Sequence, residues 1–311
     1  MLVDLIEELP GGGIDDVRGI SERHLRRTNF VGAGIARMAM GVLDAALWDV
    51  LAQRAELPLF RLLGGGSSEL RVYASGGWLT YSDGEFADEA SALAELGYAG
   101  YKIKVGHADW RVDVGRVALV LEAVNGRMPV MVDANQAWTT KQALSAGLAL
   151  AELGVDWFEE SVPAEQLESH SRLAAALPLR VASGESVFTV EGFSSLVERR
   201  AADVVMPNIV RIGGPTRMID VVSLARAAGV LVSPHLLAEV SGHVLAGLGG
   251  GCLLEHIPGW WDGLFEEPPP ASSAGSYSSP RRAAWASASR TARSPSGPVT
   301  RRVLASAGAP D

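Results

Sequence analysis

The sequence predicts an α/β barrel of parallel strands wrapped by helices, and three observations lead there. From residue 70 onward, eight short apolar strand patterns alternate with seven amphipathic helical ones. That alternation implies parallel pairing, and eight units suit closure into a (β/α)8-type barrel. Acids recur where successive strand patterns end, as expected of the rim on which such barrels carry their chemistry. An open doubly wound sheet is the alternative, but no G-x-G-x-x-G follows the first strand pattern.

Residues 1–69 stand outside the repeat. Residues 34–55 read as one amphipathic helix with Met38, Ala39, Val42, Leu43, Ala46, Leu47 and Val50 on its apolar side. Pro58 and Gly64-Gly65-Gly66 then break the chain, so 1–69 is expected to form a partial, mostly helical capping region. The barrel is assigned to residues 70–267. Its strands are expected at 70–75, 100–105, 129–133, 156–160, 179–183, 203–207, 230–233 and 252–255. Helices are expected near 84–97, 109–125, 139–153, 164–176, 190–200, 214–228 and 238–249. Gly97, Gly154 and Gly229 fall where helices should stop. Residues 268–311 hold six Arg and one acid, are rich in Ser, Ala and Pro, and read as a disordered tail.

Composition narrows the partners. The net charge of -9 argues against nucleic acid. No apolar run reaches the roughly 18 residues that span a bilayer, and the acidic N-terminus lacks the basic start of a signal peptide. Cys252 is alone, which excludes an internal disulfide. A cytoplasmic protein that assembles as a homo-oligomer is expected.

Lysine occurs three times against twenty-four arginines, and two of the three form Lys102-Ile103-Lys104. Arginine stays charged near neutral pH, whereas a buried lysine can lose its proton and act as a base. The alternation in 100–106 points both lysines to one face of a strand.

The acids Asp133, Glu159 and Glu185 each close a strand pattern, 26 residues apart each time. Three carboxylates converging on one rim repel unless a cation sits among them. An all-oxygen set with room for water and substrate suits Mg²⁺, and no Cys/His cluster suggests zinc. Asn208, His235 and Glu255 also fall at strand ends, and Glu160 is expected to neighbour the metal site.

In combination, YKIKVG, MVDANQ, WFEESV, SGES, VVMPNIVRIGG, SPHLLAEVSGH and LLEH resemble the enolase superfamily, most closely its mandelate racemase-like branch. The resemblance runs from about residue 34 to about residue 267. It implies a modified TIM barrel, (β/α)7β, with an α+β cap. It implies Mg²⁺-dependent abstraction of the proton α to a carboxylate, giving an enediolate. Asp133, Glu159 and Glu185 would hold the metal. Lys104 would be the base on one face of a small-molecule carboxylate substrate, with Lys102 beside it on the carboxylate. His235 would be base or acid on the other face, and Glu255 would hydrogen-bond the substrate carboxylate. A like charge at Lys102 would disfavour the charged form of Lys104. The implied activity is dehydration or racemisation of an α-hydroxy or sugar acid. The alternatives are a muconate cycloisomerase or dipeptide epimerase-like enzyme, or a metal-binding, catalytically impaired member.

Two departures stand out. The mandelate racemase-like branch pairs its histidine with an Asp ending the sixth strand, and the cycloisomerase branch places a Lys there; this chain has Asn208. The family's N-terminal meander, its substrate-covering loop and its C-terminal return to the cap have no counterpart in the pattern of the first and last residues.

Overall fold

The computed structural model describes residues 16–66, 69–249, 251 and 253–260, and the backbone of 276–278. Three helices come first: α1 (Val17–Thr28), α2 (Ile35–Arg54) and α3 (Leu59–Leu62). Strand and helix then alternate. They run β1 (Glu69–Gly76), α4 (Asp83–Glu95), β2 (Tyr101–Lys104), α5 (Trp110–Val124), β3 (Val130–Asp133), α6 (Thr140–Glu152), β4 (Trp157–Glu159) and α7 (Leu167–Ala176). The series continues with β5 (Arg180–Ser183), α8 (Val190–Glu198), β6 (Val204–Val205), α9 (Pro215–Ala227), β7 (Leu231–Val232), α10 (Ala238–Leu248) and β8 (Leu254–His256). All eight strand patterns and all seven helical patterns of the sequence reappear, in the (β/α)7β order.

Local chemistry sets these elements. α4 and α6 begin at reciprocal capping boxes, Ser82 with Glu85 and Thr139 with Gln142, which satisfy backbone donors that the first turn leaves orphaned. α9 begins with Pro215, whose missing N–H costs nothing at a first helical position. Gly97, Gly154 and Gly229 follow α4, α6 and α9 with φ of 77°, 85° and 71°, the left-handed geometry that ends a helix.

The strands pair in parallel in the order β7-β6-β5-β4-β3-β2-β1-β8, that of a barrel cut between β7 and β8. Across that seam Ser233 Oγ donates to the Leu253 carbonyl at 2.9 Å. Side chains alternate between two cores. Tyr101, Ile103, Val130, Val132 and Phe158 face the helices. Tyr73, Met131, Trp157, Ala182, Val204, Met206 and Leu253 fill the interior, with Tyr73 packed edge-on to Trp157. That apolar plug leaves the next interior layer, nearer the C-terminal strand ends, for polar groups.

α2 docks on the barrel through a polar clamp. Thr216, at the start of α9, donates its N–H to Asp44 Oδ2 at 2.8 Å and its hydroxyl to Asp44 Oδ1 at 2.7 Å, while Trp48 Nε1 donates to Thr216 Oγ1 at 2.9 Å. The sequence reading of this helix's apolar side is corrected here. Met38, Val42 and Val50 are exposed, and the buried face carries Ala36, Met40, Leu43, Asp44, Leu47, Trp48 and Ala52. Asp44 and Trp48 belong to the docked face because the barrel supplies their partner, which periodicity in hydrophobicity alone does not register.

A further strand lies within the stretch expected to be a disordered tail. β9 (Ser276–Ser278) pairs antiparallel with the start of β1, Glu69 opposite Ser278 and Arg71 opposite Ser276. Backbone pairing on a free strand edge needs no hydrophobic period, so three residues escaped a reading built on periodicity. The rest of 268–311, the first fifteen residues and Cys252 lie outside the described residues.

Candidate active site and metal centre

Strand register assembles the site. Lys104 is opposite Asp133 across β2 and β3, and Asp133 is opposite Glu159 across β3 and β4. These three side chains therefore stand in one layer above the apolar plug. Glu185 follows β5 through Gly184, whose φ of 131° suits glycine; a Cβ there would meet Phe193 at 2.7 Å and the Met206 nitrogen at 3.1 Å. The turn thus swings Glu185 over the barrel mouth. Carboxylate oxygens of Asp133, Glu159 and Glu185 lie within 4.8 Å of one another, and all three residues are buried.

The two lysines meet different fates. Lys102 is 1% exposed and lies between two acids, 2.7 Å from Glu159 Oε2, 3.0 Å from Glu159 Oε1 and 2.7 Å from Glu255 Oε1. Burial works against its charge, but Glu159 and Glu255 outweigh burial and hold the ammonium well above its ordinary range. Lys104 reaches Asp133 Oδ2 at 2.5 Å, retains some exposure, and faces the Trp78 ring 6.0 Å away. Lys102 thus has two carboxylate partners, and Lys104 has a different one, Asp133. Glu255 also accepts the Leu236 N–H at 3.0 Å; burial opposes its charge, yet Lys102 and His235 hold its carboxyl below the usual range. Glu159 goes the other way. Burial and the crowding of Asp133, Glu255 and Glu185 raise it against the pull of Lys102.

His235 sits opposite Lys104's strand, after β7. Its Nε2 is 3.2 Å from Glu185 Oε2, and its Nδ1 is 3.0 Å from Asn208 Nδ2. Burial pushes the imidazolium down, partly offset by Glu255 and Glu185. Asn208 is held by the loop after β6, where its Oδ1 accepts the N–H groups of Val210 and Arg211 at 3.1 and 3.0 Å.

Two site neighbours escaped the sequence reading. Arg211 donates to the Glu185 carbonyl at 2.8 Å and approaches Glu185 Oε1 at 3.4 Å. Trp78 follows the end of β1 beside Lys104. Both lie just past strand ends, so the rim logic that picked the acids reaches them too. Glu160 is a neighbour as expected, accepting from Gln136 Nε2 at 2.6 Å, with burial raising its carboxyl to about 7.

The donor set fits a hard divalent cation. All three converging groups offer oxygen, with no thiolate among the described residues there. Glu185 Oε2 is buried and accepts no aligned hydrogen bond. An orphaned anionic oxygen of this kind is costly unless a cation is its partner.

A curled parallel sheet carries acids on its C-terminal rim, with lysine and histidine beside them at the mouth, and the three acids converge closely enough to hold one metal ion. The family model described as "Enolase C-terminal domain-like" matches residues 85–283. The L-talarate/galactarate dehydratase of Salmonella typhimurium is 34% identical over 266 residues, covering 85% of this chain and 67% of that one. The arabinonate dehydratase of Saccharolobus solfataricus is 32% identical over 66% of this chain and 56% of its own length. The crystal structure of a racemase from Streptomyces coelicolor with bound magnesium superposes with a TM-score of 0.86, at 30% identity, over 90% of this chain and 78% of that one. The chain belongs to the enolase superfamily, in its mandelate racemase/muconate lactonizing enzyme family. It spans between about half and about two thirds of the length of these two curated relatives.

Proposed function

We propose that the chain is a Mg²⁺-dependent enzyme that removes the proton α to the carboxylate of an α-hydroxy or sugar acid, as a dehydratase or racemase. The observation that carries this reading is the layer that Lys104 shares with Asp133 and Glu159, over which Glu185 converges, with His235 on the other side of the mouth. Dehydratases of sugar acids and a racemase among its relatives support the substrate class.

Asp133, Glu159 and Glu185 hold the ion. When bound, Mg²⁺ stabilises the negative charge that develops on the substrate carboxylate as the proton leaves. Lys104 takes the proton, because it is the less buried amine and its flexible stem reaches the mouth. Lys102 keeps its charge, orders Glu159 and Glu255, and supplies a fixed positive field beneath the substrate carboxylate. Glu255 holds Lys102 in place. His235 contacts the opposite face of the substrate, and Asn208 orients its ring. A cytoplasmic homo-oligomer belongs to the same reading. Among the described residues no helix is long and apolar enough to cross a membrane. α2 presents Ile35, Met38 and Val42 outward as a stripe that a second copy would cover.

The test is solvent exchange. Protein with Mg²⁺ in D2O is incubated with a panel of sugar acids and followed by proton NMR. At least one acid is expected to lose its α-proton signal or to form a 2-keto product, and Lys104→Arg is expected to abolish this. Silence across the panel would overturn the reading.

A further inference from the structure

Asn208 occupies the position from which the ring of His235 is oriented, and the direction of its hydrogen bonds is settled by three contacts. Its Oδ1 accepts two backbone N–H groups, from Val210 at 3.1 Å and Arg211 at 3.0 Å. Its Nδ2 lies 3.4 Å from the carbonyl oxygen of His235, which only accepts. An amide turned the other way would set its NH2 against two donors and its oxygen against an acceptor. Nδ2 is therefore the group that meets His235 Nδ1 at 3.0 Å, and it meets it as a donor.

A ring nitrogen that receives an N–H offers its lone pair. In a neutral imidazole the other nitrogen then carries the hydrogen. The Nε2 edge of His235 faces the mouth, 3.2 Å from Glu185 Oε2. A carboxylate at 208 would do the opposite. It would accept from Nδ1–H and leave Nε2 bare toward the substrate.

We infer that Asn208 makes His235 a hydrogen-bond donor only, so that the α-proton is exchanged on the Lys104 face alone and the chain does not racemise its substrate. This inference rests on the proposed proton abstraction and decides between its two outcomes. Lys104 Nζ takes the α-proton, and the C–H electron pair becomes the new carbon–carbon double bond. The resulting ammonium is the proton source on that face. It returns the proton to the same carbon with retention, or gives it to a β-hydroxyl, which leaves as water and restores the amine. His235 holds a substrate oxygen through Nε2–H. Asn208 is a positioning residue, since it acts through the ring.

Two measurements test this. The first is long-range proton–nitrogen correlation NMR on histidine-labelled protein, with and without Mg²⁺, with His235 assigned by its loss in His235→Gln. Wild type is expected to show a bare Nδ1 and a protonated Nε2; Asn208→Asp is expected to invert the pattern. The second is deuterium exchange with pairs of sugar acids epimeric at the α-carbon. Wild type is expected to exchange one epimer of a pair, and Asn208→Asp to speed the other at least tenfold. A wild-type Nδ1–H, or wild-type exchange of both epimers at similar rates, overturns the inference. Both readouts are made on wild type, so a variant that fails to fold does not remove the test. A bare Nδ1 with no exchange of any acid upholds the assignment for His235 and overturns the proposed function instead.

Discussion

Lys102 is the residue whose environment leaves least freedom. Its ammonium is the shared counter-ion of Glu159 and Glu255 in a layer sealed from below by Tyr73, Met131 and Trp157. Removing one partner from a buried ionic cluster leaves uncompensated charge, which costs about 3–5 kcal/mol. Lys102→Met is therefore expected to lower stability by that order in chemical denaturation. Lys104→Met should cost less, because Lys104 keeps contact with solvent. Equal losses would mean that Lys102 is not the pivot of the cluster. The role of Glu185 is separable in the same way. Its Oε2 is buried and accepts no aligned hydrogen bond, so it gains most from a cation, and Glu185→Gln should remove most of the stabilisation that Mg²⁺ confers. If wild type and this variant gain equally from Mg²⁺, the metal sits elsewhere.

At the scale of elements, two features carry function from outside the reacting groups. The turn after β5 delivers Glu185 through a positive-φ glycine packed against Phe193. Gly184→Ala should cost about 1–3 kcal/mol in backbone strain and also weaken Mg²⁺ binding by displacing Glu185, which titrating the metal against thermal unfolding would show. The clamp between α2 and α9 is the other feature. Burial, opposed by the hydrogen bonds from Thr216, pushes the carboxyl of Asp44 up to about 6. A folded-state value above the unfolded one (about 3.9) favours the protonated acid in the fold. The stabilisation from that proton is complete below about pH 4 and is lost as pH rises through about 6. Asp44→Asn mimics the protonated acid, so its stability relative to wild type should rise from pH 4 to pH 7 by on the order of 2–3 kcal/mol. A constant difference across that window would place the titration elsewhere.

For the molecule as a whole, the candidate metal centre draws on the ends of three successive strands. Asp133 and Glu185 stand 52 residues apart in the chain, and no shorter piece contains the full set. Mg²⁺ is therefore expected to bind the assembled barrel and not the unfolded chain. Global stability should rise with the logarithm of Mg²⁺ concentration, by about 2.7 kcal/mol at a hundredfold excess over Kd, and chelation should reverse it. A melting temperature insensitive to Mg²⁺ would show that the carboxylates do not form a site together.

Much of this was open to reading from sequence because the determinants are periodic. Strand alternation fixes which side chains enter the barrel, and one strand–helix unit per carboxylate fixes the rim on which Asp133, Glu159 and Glu185 meet. The order of elements and the convergence of the candidate metal triad follow from those periods. What only the tertiary structure decided are partnerships between residues far apart in the chain. Asp44 and Trp48 of α2 turn inward because Thr216 awaits them. Lys102 turns to Glu255 as well as Glu159 because β8 closes beside β1. Asn208 presents its NH2, and not its oxygen, to His235 because two backbone N–H groups of its own loop claim the oxygen. A hydrogen bond's direction depends on every donor and acceptor around the group, and a linear pattern of residue types does not contain that neighbourhood.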